Sequence, residues 1–219
     1  YVGVVESGQS AAPGARCLGE WAQILVACGE LLRAGAERAL RIAAARAVAA
    51  ILNYHYHPDL GLLVEVVSGD FFRFDDQRGT LVHSGAALKA LAALVNEAGR
   101  GGEEKLLTLA GDYLRQHLDG AWDPVTGGIR EALVEGVWNG EKTGAIQAEA
   151  LIALAALVGY RGGDWEVEWF GRVYDYLTAG AGVAPMVQLR YLVLCAASLD
   201  GLIKRDGRPA AWLSMAKSA

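Results

Sequence analysis

Apolar residues recur every three to four positions in several stretches of the chain. Leu88, Leu91 and Val95 form one stripe, and Ile146, Ala150, Ala153, Leu154 and Leu157 form another. That spacing puts apolar side chains on one face of an α-helix, which must then be buried. With Gly-containing stretches taken as helix stops, the pattern predicts seven helices, over about residues 15–33, 37–54, 84–98, 103–117, 144–158, 165–178 and 185–199. The last lies in the longest apolar stretch, Val183 to Leu199, which Gln188 and Arg190 interrupt. It falls short of the ~20 residues that a bilayer span needs and reads as a buried helix.

The connections differ in length. Gly99 to Gly102 and Gly159 to Asp164 read as short turns, whereas 55–83 and 118–143 are long, and the first of these carries the strand-like run Leu62-Leu63-Val64-Glu65-Val66-Val67. Helical hairpins joined in this way place both long loops at one end, where a rigid scaffold presents binding groups. No close sequence repeat is visible, and an irregular helical bundle with two ordinary long loops fits the same periodicity.

At 219 residues and 23.2 kDa the chain suits one domain spanning 1–219 with a single core. A net charge of −5, without clustered Lys or Arg, argues against a nucleic-acid or anionic-membrane partner. The apolar fraction of 53% exceeds what most free-standing domains carry, so helix surface must be covered, and a homo-oligomer is one way to cover it. Cys17, Cys28 and Cys195 share no metal-ligand spacing and suit reduced thiols. The first residues show no export signal, so the expectation is a cytoplasmic protein; the absence of an initiating Met suggests a trimmed or partial chain.

Several side chains are candidates for chemistry. Glu65 sits in the apolar alternating run, where a carboxylate needs a partner such as Arg73 or a ligand. Glu149 lies within an apolar helix and should meet Lys142, an Arg or a ligand hydroxyl. His83 ends a long loop and is either a proton-transfer group or a flank to a helix whose N-cap is Ser84. His55 and His57 lack a third ligand nearby, so no metal site is expected. His117, near a helix end, suits a charge–dipole interaction. Trp138, on a long loop, is a better sugar platform than Trp165 or Trp169.

Four motifs then occur in order: His57-Pro58-Asp59-Leu60-Gly61-Leu62-Leu63-Val64-Glu65 followed by Gly69-Asp70; His83-Ser84-Gly85-Ala86-Ala87-Leu88-Lys89-Ala90-Leu91; Trp122-Asp123-Pro124-Val125-Thr126-Gly127-Gly128; and Lys142 with Gln147-Ala148-Glu149-Ala150-Leu151. Together, over roughly residues 15–178, they resemble the N-acylglucosamine 2-epimerase family. The resemblance implies an all-α fold, an (α/α) toroid of antiparallel helix hairpins, here a partial or shortened (α/α)6 barrel. It implies a sugar 2-epimerase or isomerase acting on an N-acyl-hexosamine or related aldose, without a cofactor. His83, Glu65 and Glu149 would be catalytic, and Arg73, Asp123, Trp138, Lys142 and Gln147 would bind the sugar.

Epimerisation at carbon 2 needs two proton-transfer groups, and the family supplies a pair of histidines. Here Ala86 stands at the first His position, Lys89 at the Glu position, Gly144 and Ala145 at two Trp positions, and no His follows His117. These departures leave two further functions open: a non-catalytic relative that binds a carbohydrate or small ligand, and an interaction or assembly domain. A glycoside hydrolase using Glu65 and Asp123 as its acid–base pair is a fourth option.

Overall fold

The computed structural model describes residues 14–35, 37–179 and 185–206, with the side chains of 185–189 excepted. Among them are seven α-helices: α1 (Leu18–Ala34), α2 (Arg38–Ala50), α3 (Ser84–Gly101), α4 (Glu104–Ala121), α5 (Gly144–Tyr160), α6 (Asp164–Thr178) and α7 (Pro185–Ile203). Each matches a helix predicted from periodicity. The odd-numbered helices form an inner layer in which α1 packs on α3, α3 on α5 and α5 on α7. Behind them α2 packs on α1, α4 on α3 and α6 on α5. The layers curve as an arc of an (α/α) toroid, as the resemblance implies.

Composition explains which helices go inside. α5 is apolar all round, and from Ile146 to Gly159 only Glu149 is not fully buried. α4 carries one apolar stripe, Leu107, Ala110, Leu114 and Leu118, and faces water on the other side. Small residues bring the helices close. A Cβ on Gly99 would sit 2.2 Å from the Tyr160 ring, so α3 continues through Gly99 to Gly101, and Gly102 (φ +71°) ends it. The expected Gly99–Gly102 turn is therefore mostly helix. α7 also departs from expectation. It buries Tyr191 and Cys195 but leaves Val193 57% exposed and Leu192 49% exposed, because among the described residues α5 is the one helix it packs against extensively.

Among the described residues, seven short strands hold the long loops. β1 (Arg16–Cys17) pairs antiparallel with β4 (Val66–Val67), and β2 (Tyr56–His57) with β3 (Leu62–Leu63). β5 (Val82–His83) pairs with β6 (Ala132–Val134), which pairs in turn with β7 (Val137–Trp138). The apolar run from Leu62 is thus two strands with Glu65 at the break between them. A π-helical turn, Ile51–His55, prolongs α2 and delivers the chain into β2.

These pairings repeat with an offset of 66 residues. Cys17 pairs with Val66 as His83 pairs with Ala132, and the Leu18 N–H donates to Glu65 O as the Ser84 N–H donates to Glu131 O. The Val64 N–H bonds His55 O as the Arg130 N–H bonds Ala121 O. The repeat is carried by the backbone, with little likeness between the side chains.

The α3–α5 contact anchors the arc, so Leu154→Ala, at a position with 0% exposure, is expected to cost roughly 2–5 kcal/mol in urea unfolding. Ile24→Ala, at a site 40% exposed on α1, should stay within about 0.5–1 kcal/mol of the parent.

Candidate functional site

Both long loops fold over the N-terminal ends of the inner helices. Glu65 stands there with its backbone oxygen on the Leu18 N–H and its carboxyl near Gly19, whose N–H it accepts. Its Oε2 is buried without a partner, and Arg73 is exposed and forms no ion pair with it. Burial, then the neighbouring Glu20 charge, raises the Glu65 pKa to about 8, so the carboxyl is protonated at neutral pH. A Cβ on Gly19 would lie 3.9 Å from the Ala86 methyl and 4.0 Å from Glu65 Oε1, so both side chains border Gly19.

His83, rather than Ser84, is the N-cap of α3. Its Nδ1 accepts the Ala86 N–H at 3.4 Å, and Ser84 instead donates its hydroxyl to Arg130 O at 2.6 Å. With Nδ1 as acceptor the neutral ring carries its proton on Nε2, which lies 3.7 Å from Glu131 Oε1. Partial burial lowers the His83 pKa and favours this neutral form. Glu131 escaped sequence reading, yet it is the residue 66 positions after Glu65, and that offset was the available signal.

Four other expected site residues build or brace the loops. Asp123 closes its own turn by accepting from the Val125 N–H at 2.9 Å and the Thr126 hydroxyl at 2.7 Å, and Lys142 donates to the same carboxylate. The Lys142 and Thr126 donors hold the Asp123 carboxyl well below the usual range. Gln147 is buried on α5 and spends both ends of its amide on Ile129, accepting its N–H at 3.0 Å and donating to its carbonyl at 2.8 Å. Trp138 is half-buried on β7, with the Arg130 guanidinium 5.6 Å from its ring centre.

Histidines support the first loop from below. The His55 ring bonds Val64 O through Nδ1 at 2.8 Å, and His117 Nε2 accepts the Leu63 N–H at 2.8 Å. Burial lowers their pKa values to about 4 and about 3, so His117 is neutral and does not serve the helix dipole as a cation. It holds β3 instead. Among the described residues, no group of three or more His, Cys, Asp or Glu is placed to hold a metal.

Glu149 lies elsewhere, on the concave side of the arc. There α1, α3, α5 and α7 line a hollow of about 490 Å³ whose floor includes Gly29, Ala92, Ala93, Ala156 and Ala197. Glu149 Oε1 accepts from Arg190 at 2.6 Å and lies 3.8 Å from Lys89 Nζ, while its Oε2 is buried without a partner. The structure thus gives Glu149 an Arg, as expected, and Lys89 in place of Lys142. Sequence reasoning missed Arg190, because nothing local ties it to a residue 41 positions earlier.

Two predictions follow from these environments. His55 and His117 bind protons more weakly folded than unfolded, so stability falls as pH drops below about 6.5, by up to ~1.4 kcal/mol per pH unit for each. Glu65 has a raised folded pKa, so its contribution is full below about 4.5 and is lost as pH rises to about 8. Urea unfolding across pH should therefore show a maximum near pH 6.5, and Glu65→Gln should flatten the alkaline limb. Gln147→Leu strands the N–H and carbonyl of Ile129 and should cost roughly 2–4 kcal/mol by the same assay.

No family model matches the chain, and no curated sequence does. Solved structures do match. A cellobiose 2-epimerase from Spirochaeta thermophila DSM 6192 superposes with a TM-score of 0.63 at 19% identity, over 73% of this chain and 42% of that one. A sugar epimerase from a ruminal bacterium gives 0.66 at 15% identity, over 78% and 43%. A family 76 glycoside hydrolase (mannosidase) from Bacteroides thetaiotaomicron gives 0.67 at 11% identity, over 88% and 55%. The chain spans about half the length of these structures. At such identities the likeness is one of fold: the chain has the architecture of an arc of the (α/α) toroid that sugar epimerases and a mannosidase share.

Proposed function

We propose that the chain is a sugar-binding, epimerase-like toroid segment that holds an aldose or N-acyl-hexosamine and has no histidine base of its own for carbon 2. The hydrogen bonding of His83 carries this reading. Its Nδ1 lone pair is engaged by the Ala86 N–H and its Nε2 proton faces Glu131, so the neutral ring turns no lone pair toward a ligand. Ala86 offers a methyl group where the family resemblance would put an imidazole. Glu149, with Arg190 and Lys89 beside it, is suited to positioning a ligand rather than to taking its proton. The sugar class comes from the ordered motifs and from the kinds of protein that share the fold.

A second reading keeps proton transfer and assigns it to Glu65. Its pKa of about 8, its partnerless buried oxygen and its place at Gly19, which Ala86 also borders, favour it. The carboxyl would become a base only as pH rises through about 8.

The two readings part in deuterated buffer. Incubated with N-acetylglucosamine, N-acetylmannosamine, glucose, mannose and cellobiose, the folded protein should perturb sugar resonances without loss of the carbon-2 proton above the protein-free rate. Exchange that rises through pH 8 and drops at least tenfold in Glu65→Gln would establish the second reading. Exchange abolished by His83→Ala alone would overturn the first.

A further inference from the structure

The chain carries a net charge of −5, but the hollow on its concave face does not share that sign. Five cations line it, Arg33, Lys89, Arg100, Arg190 and Arg205, against three carboxylates, for a formal charge of +2. Two of the carboxylates serve neighbours on their own helices, Glu30 with Arg33 and Glu97 with Arg100. The third, Glu149, lies between two cations on different helices, Lys89 of α3 and Arg190 of α7, and compensates only one of them. The helix positions between these charges are mostly small or aliphatic, Ala92, Ala93, Ile152 and Ala156 among them, so the charged groups stand over an apolar floor on which a ring can lie.

We propose that this hollow binds an anionic sugar, an aldose bearing a carboxylate or a phosphate, with Arg190 and Lys89 on the anion and Glu149 competing with it for both cations. The inference rests on the sugar-binding reading above and narrows its ligand class. Arg190 is exposed and gives Glu149 a bond from Nη1, so the rest of its guanidinium fork is free to meet an anion. Lys89, at 3.8 Å from the carboxylate, makes no short bond to it and can turn to a ligand oxygen. The balance of charges also explains why Glu149 is not replaced by an apolar residue in an otherwise apolar helix: without it, two cations would face each other across α5.

The test is calorimetric titration of the whole chain with glucuronate, glucose 6-phosphate, glucose and inorganic phosphate at 50 and 300 mM salt. The expected result is binding of the two acidic sugars at least tenfold tighter than glucose or phosphate, weakened by salt. Arg190→Gln and Lys89→Gln should each weaken it about tenfold. Glu149→Gln keeps the shape and removes the competing charge, so it should tighten binding several-fold; a purely structural ion pair predicts no such gain, and this variant keeps the test decisive if Arg190→Gln unfolds. Glucose bound as tightly as glucuronate, or acidic-sugar binding indifferent to all three variants, overturns the inference and leaves the sugar-binding reading standing. Phosphate bound as tightly as glucose 6-phosphate overturns it as a sugar site. Binding of no sugar, acidic or neutral, overturns both.

Discussion

The arrangement depends on where the first N–H of α1 and the first N–H of α3 find their acceptors. A helix start leaves several donors without intrahelical partners. In α1 and α3 the first of these is met by the carbonyl of a glutamate in the following long loop, Glu65 or Glu131, and the adjoining two-residue strand pairing locks the register. The loops after α2 and α4 are thereby sewn to the starts of α1 and α3. That single device fixes the loop end of the arc, sets Glu65 against the start of α1, and brings Glu131 to His83.

With the loops pinned by backbone bonds, the polar side chains there are largely committed to one another. Asp123 and Lys142 close a turn, Gln147 clamps Ile129, and His55 and His117 carry the first loop. Such internal satisfaction makes a rigid rim, and it leaves fewer groups for a ligand than the motifs suggest. On the concave face the charged groups come from helix side chains rather than loops, Lys89, Glu149 and Arg190 among them. The small residues that let the inner helices approach one another also clear the space that forms the hollow.

The helices were legible because burial on one face writes a period of 3.6 into the sequence. Their ends were less so: α3 runs through three further residues because the ring of Tyr160 needs Gly99, a contact between residues 61 positions apart. The run from Leu62 to Val67 looked like one strand because alternation cannot show that its two halves pair with different partners, β1 and β2. His117 was misread because its position near a helix end is a local fact, whereas its neutrality comes from burial under β3. In the site, Glu65 and Glu149 stood out as carboxylates in apolar surroundings. Arg190 did not, since its pairing spans two helices, and Glu131 was hidden because the 66-residue repeat lives in hydrogen bonds.

The inner layer also makes the molecule quasi-one-dimensional. α1, α3 and α5 each pack against their neighbours along the arc and against one outer helix, and α7 packs on α5, so cohesion passes from unit to unit as in a stack of repeats. α3 and α5 each share two inner interfaces, whereas α7 draws on one. Damage to a central helix therefore removes two couplings at once and divides the arc, while equal damage at α7 only shortens it. The same chemistry lost at the two places has unequal reach.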